Sequence, residues 1–154
     1  MKSITIVGIG SPYGVDQTGW RLVETLQKDT ALQVLSSGQI KFVICEHPGL
    51  MLLDYIADAD CVILLDAVEG GRRGNAIRVE KQQLLDDADR FSTHDLGVKE
   101  VLALGDKLSC LPQQLDLIGV EVGDTSVECQ PDAETVLQVK NLVVSTIQKY
   151  FAQQ

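Results

Sequence analysis

Three polar residues in the chain combine the right types and placement to do chemistry together: Asp16, Asp66 and His94. Asp16 lies in a glycine-rich stretch, GIGSPYGVDQTGWR (8–21). Asp66 ends the apolar run CVILLD, and His94 sits in FSTHDLG, ahead of or within the first turn of a following helix. Two carboxylates and an imidazole form a borderline-hard donor set suited to a divalent transition metal. Read singly, Asp66 is a polar residue where a strand reaches water, and His94 is an ordinary residue near a helix N-terminus. Their joint placement, each in or next to a loop that would meet one sheet edge, favours a common site.

The elements that would position them follow from hydrophobic patterning. Residues 4–9, 40–45, 61–65 and 115–122 are β-branched or apolar runs of strand length, and 76–80 alternates as a more exposed strand. Between them, 18–28, 50–57 and 82–89 read as helices, the first with Trp20, Leu22, Val23 and Leu26 toward the core. A further helix after His94 carries Val98, Val101, Leu102 and Leu104. Pro131-Asp132-Ala133-Glu134 starts a last helix, on which Val136, Val139, Val143, Ile147 and Tyr150 recur at helical spacing. Strands alternating with helices predict one α/β domain over residues 1–154. It is a three-layer sandwich with a largely parallel sheet of about five strands and helices on both faces. In such sheets ligands gather outside the carboxyl ends of the strands, where Asp16, Asp66 and His94 would meet.

Composition narrows the function classes. The 154 residues are 45% hydrophobic and 23% charged, in the ordinary range for a globular domain. A formal net charge of −9 repels polyanions, so neither nucleic acid nor an anionic membrane is expected as a partner. The apolar runs are strand-sized, with no signal peptide or transmembrane pattern, and a cytoplasmic location is expected. Cys45, Cys61, Cys110 and Cys129 form no Cys-x-x-Cys pair; Cys45 and Cys61 fall inside strand-like runs as small hydrophobes.

The glycine-rich stretch poses its own alternative, a phosphate cradle. Gly8 and Gly10 fit the dinucleotide fingerprint, but Tyr13 occupies its third glycine position, and no Lys-Ser or Lys-Thr follows as in a P-loop. Asp16 before the helix suits the helix dipole and repels a phosphate. The cradle is the weaker reading.

The ordered set GIGS-x-x-G-x-D-x-x-G-W-R, CVILLDAVEGG-x-x-G, STHDLGVKEVLAL and LIGVEV covers nearly the whole chain. It resembles the NiFe-hydrogenase maturation endopeptidases. The resemblance implies an endopeptidase with an α/β fold that removes the C-terminal extension of a hydrogenase large-subunit precursor after nickel insertion. It also implies that Asp16, Asp66 and His94 are the metal-binding positions, with Asp16 and Asp66 catalytic. The nickel would be carried by the substrate, and other divalent ions could occupy the site. Ser11 replaces the family's asparagine, the loop is one residue shorter with Pro12, and Val15 and Gln17 replace an acid and a glycine. Glu46-His47-Pro48-Gly49 replaces the Asp-Gly-Gly-like turn after the second strand, which leaves open whether His47 adds a ligand.

Hydrolysis could run by metal assistance, with the ion positioning the scissile bond or polarising a carbonyl or water, or by aspartic chemistry with one carboxylate as general base. Tyr13 and Gly14 are expected to contact substrate, with Pro12 stiffening the loop and the Tyr13 ring offering an apolar surface. Packing of Tyr13 onto the sheet is the alternative. Two other functions stay open: a non-catalytic, nickel-dependent assembly checkpoint, and a nucleotide-binding α/β protein.

Overall fold

The computed structural model describes residues 3–10, 17–35, 39–46, 49–86, 98–123 and 130–154, apart from the Leu50 side chain. Its strands are β1 (Ile4–Ile9), β2 (Ile40–Cys45), β3 (Cys61–Val68), β4 (Ala76–Glu80) and β5 (Gln114–Glu121). Its helices are α1 (Thr18–Gln27), α2 (Thr30–Leu35), α3 (Gly49–Ile56), α4 (Lys81–Asp86), α5 (Val98–Lys107) and α6 (Ala133–Ala152). They build the expected three-layer α/β domain around one sheet, in the order β2-β1-β3-β5-β4. β2, β1, β3 and β5 run parallel, and β4 closes one edge antiparallel to β5.

Strand alternation divides the core in two. Ile4 and Ile6 of β1 join Cys61, Ile63 and Leu65 of β3 against α1, α2 and α6. Val7 and Ile9 join Val62, Leu64 and Val68 on the other face, against α3, α4 and α5. β3 is buried along its whole length because it has a strand on each side and helices above and below.

Element identities match the sequence expectation, and the differences have local causes. β3 runs through Asp66 to Val68, because Asp66, Ala67 and Val68 continue the ladder onto Gly119, Val120 and Glu121 of β5. Asp66 is therefore a residue of the buried strand with no exposure, not the point where the chain reaches water. The short helix α2 was not anticipated; six residues carry too little pattern, and only Leu32 of it is buried. On α5, Leu104 points outward and Gly105 is buried instead, packed against Leu53 and Leu111. Trp20 and Val136 are only half-buried. Cys45 and Cys61 are buried, as their runs implied, whereas Cys129 lies outside the described residues. Burial, aided by the nearby Asp116 carboxylate, pushes the Cys61 thiol up to about 12, which leaves it unreactive.

Candidate active site

The geometry starts from two glycines. A Cβ on Gly8 would fall 2.5 Å from the Gly19 carbonyl oxygen and 2.6 Å from Cγ2 of Val23. A Cβ on Gly19 would fall 2.5 Å from the Leu65 carbonyl oxygen. Only hydrogen side chains let α1 lie this close to β1 and β3. Gly8 thus serves helix–strand packing, with no phosphate required. The consequence is positional: the first turn of α1 is seated on the backbone of the residue before Asp66.

Asp66 occupies the carboxyl-terminal part of β3, with β1 and β5 on either side. Gly8 pairs with Leu65, so the next rung places Ile9 beside Asp66. Between β1 and β3 the strand order reverses, since β1 leads by α1 and α2 to β2 on its far side. This is the crevice in which doubly wound sheets bind their ligands. The Asp66 side chain is fully buried, and its Oδ1 accepts a hydrogen bond from the Ala67 amide at 2.8 Å. Alternation puts it on the same side as Leu64 and Val68, the face covered by α3 and α5.

The remaining candidates, Asp16, His94, Tyr13, Gly14 and His47, lie outside the described residues. What the fold fixes is the set of attachment points. The segment with Asp16 leaves from Gly10, whose amide donates to the Cys45 carbonyl at 3.2 Å, and rejoins the fold at Gln17 and α1. The segment with His94 rejoins it at Val98, the buried first residue of α5, on the face toward which Asp66 projects.

Among the described residues, two depressions open on this carboxyl edge. One of about 210 Å³ lies between Thr18 at the start of α1, the end of β5 and the start of α6, with Arg73 at its lining. There Asp132 caps α6, its carboxylate accepting from the Thr135 amide at 2.8 Å, which holds the carboxyl below its usual range. The other, of about 410 Å³, lies at the end of β2 and is lined by Ile44, Cys45, Glu46, Met51 and Tyr55.

A different acid site escaped the sequence reading. Asp116 of β5 is also buried, with its Oδ2 3.3 Å from Arg78 of β4 and accepting from the Gln114 side-chain Nε2 at 3.0 Å. An acid within the apolar run 115–122 was the only available signal. The pair lies toward the amino-terminal half of β5, away from the crevice.

Residues 20–149 match the family model described as hydrogenase maturation protease, a span that includes Asp66 and His94 and begins after Asp16. Among curated proteins, the chain is 34% identical over 122 residues to the hydrogenase expression/formation protein HupD of Thiocapsa roseopersicina, covering 77% of this chain and 53% of that protein. It is 29% identical over 127 residues to HupM of Azotobacter chroococcum mcd 1, covering 77% and 57%. The chain thus spans little more than half the length of these relatives. Its fold is shared with the hydrogenase maturating endopeptidase HybD from E. coli, at a TM-score of 0.60 and 20% identity over 98% of this chain and 91% of that one. It is shared as well with the maturation protease HybD from Thermococcus kodakarensis, at 0.63 and 12% over 96% and 98%.

Proposed function

The chain belongs to the hydrogenase maturation protease family, and from that premise we propose that it is an endopeptidase acting on a NiFe-hydrogenase large-subunit precursor. It removes the C-terminal extension once nickel is in place. The observation that carries this reading is the fully buried carboxylate of Asp66 at the carboxyl end of the central strand, beside the β1–β3 crevice. A charge there acts in a medium of low effective dielectric, where its attraction for a cation exceeds that of a surface carboxylate. The flanking strands hold it rigid, so a bound group is oriented without reorganisation.

In the proposed site Asp66, Asp16 and His94 grasp nickel that the precursor already holds, which brings the adjoining peptide bond to the carboxylates. Water adds across that bond: its oxygen goes to the carbonyl carbon and a proton to the departing amine. Asp16 or Asp66 serves as the base, or the carboxylates hold the ion that polarises the carbonyl. The nickel is substrate, not a resident cofactor. Tyr13 and Gly14 line the path of the peptide beside the acids. Among the described residues no helix is long and apolar enough to cross a membrane.

The test mixes purified protein with nickel-loaded and nickel-free precursor and weighs the products by mass spectrometry. Shortening of the loaded form alone is expected. Equal cutting of both forms would remove nickel recognition from the proposal, and cutting of neither would remove the activity.

A further inference from the structure

The depression at the end of β2 has features that the Asp66 crevice does not account for. Its lining comes from both faces of an edge strand. Cys45 belongs to the core under α3, while Ile44 shares the opposite face with Ile40 and Phe42, which pack toward α1 and α6. The cleft lies at the carboxyl end of β2, at the outer edge of the sheet. Among the described residues that edge has no strand paired to it, since β2 pairs with β1 alone. Ile44 is 38% exposed and Met51 58% exposed, with the half-buried Tyr55 one helical turn further along α3. Among the described lining residues, Glu46 carries the one acidic side chain.

We propose that this cleft is a specificity subsite, which receives an apolar side chain of the substrate about three residues from the scissile bond. The spacing comes from the sheet itself. β2 is two strands from β3, roughly 10 Å at the normal inter-strand distance, and an extended peptide covers that in about three residues. A peptide lying across the carboxyl edge with its reacting bond at Asp66 therefore passes over Ile44, Met51 and Tyr55. Ile44, Met51 and the Tyr55 ring favour an apolar side chain there, and Glu46 favours a basic neighbour. The inference rests on the endopeptidase reading above and adds to it a subsite and a register.

The test uses the intact protein and nickel-loaded precursor, with Ile44→Asp, Met51→Asp and the milder Met51→Ala. Both residues are exposed enough for melting temperatures to stay near wild type. Each Asp variant should raise KM about 10-fold or more with kcat little changed, the pattern of lost binding and intact chemistry. Changing the precursor residue three positions from the cut, on the side over β2, to Asp should raise KM in the wild type. In Met51→Asp the same change should add little, because both changes remove one contact. Asp66→Asn serves as the control. If it is inactive while Met51→Asp cuts with unchanged KM, the subsite is wrong and the endopeptidase reading stands. If Asp66→Asn cuts normally, the Asp66-centred reading fails first. A Met51→Asp variant that alters only sedimentation, with KM unchanged, would assign the cleft to self-association and overturn the proposal.

Discussion

Asp66 and Asp116 are both aspartates in the interior of the sheet, at 0% and 2% exposure, and they sit on adjacent strands. Asp116 is opposite Ile63 and Asp66 is opposite Gly119, so three rungs separate them, and the odd number places their side chains on opposite faces. Asp116 has a resident cation. Because β4 runs antiparallel with Glu80 opposite Asp116, Arg78 is the diagonal neighbour on the same face. Asp66 instead takes the Ala67 amide, and it lies at the end of the sheet where the crossover segments bearing Asp16 and His94 are anchored. A buried acid toward the closed end of a parallel sheet is compensated by the fold. The acid at the carboxyl end lies instead beside the crevice between β1 and β3.

The largest effect that follows is on Asp66. Asp66→Asn keeps the shape and removes the charge, so cleavage of the loaded precursor should fall by about 10²–10⁴ while the protein stays folded. Single-turnover mass analysis with a thermal melt reads both. Unfolding, with normal cleavage by the folded remainder, would make Asp66 structural like Asp116. The reciprocal change is Asp116→Ala. It leaves Arg78 without its buried partner and should cost about 3 kcal/mol of stability, the low end for breaking a buried pair because Arg78 keeps Glu80 at 3.4 Å. Urea unfolding measures it, and KM and kcat should not move. A kinetic change at intact stability would erase the contrast between the two acids.

The same contrast marks what was legible in the sequence. Every strand, and each longer helix, could be read because burial on one or both faces imposes a period or an unbroken apolar run. Asp66 could be singled out as an acid closing the strongest run, but its burial depends on pairing with β5, a strand about fifty residues later. Asp116 was invisible as a paired acid, because its partner belongs to an antiparallel edge strand whose register no local pattern encodes. Gly8 and Gly19 were legible as a glycine-rich turn but not as a contact. Their close approach depends on how α1 crosses the sheet.

That contact yields the next prediction. Gly19→Ala directs a methyl group at the carbonyl oxygens of Ile9 and Leu65, both backbone atoms of central strands that cannot step aside. Overpacking of this kind costs about 1–3 kcal/mol. α1 must lift from the edge, so cleavage should weaken together with stability, unlike in Asp66→Asn or Asp116→Ala, each of which moves only one of the two. Denaturant midpoints and KM on one preparation would show the coupling. A stable Gly19→Ala protein with wild-type kinetics would mean that the seat of α1 does not set the site.

The smallest effect concerns acids that are neither buried nor near the crevice, and it gives the baseline for the other two. Asp29 at the α1–α2 junction meets Lys140 of α6 at 2.8 Å, and Glu80 meets Lys149 at 2.7 Å. Each lysine, chiefly by hydrogen bonding, holds its carboxyl below the ordinary value, 3.8 for Asp29 and 4.5 for Glu80. A lowered folded-state pKa means that the unfolded chain takes up protons first as pH drops. The stabilisation is therefore complete above about pH 4.5 and is lost as pH falls through the lowered values. The Glu80–Lys149 pair is exposed and the Asp29–Lys140 pair half-exposed, so solvent screens both, and each contributes under about 1 kcal/mol. Melting Asp29→Asn and Glu80→Gln beside the wild type, from about pH 6 to about pH 3, should show a small gap that closes on acidification and shrinks with added salt. A gap that widened toward low pH would reverse the sign assigned to these pairs, and the peripheral acids would no longer serve as the baseline for Asp66 and Asp116.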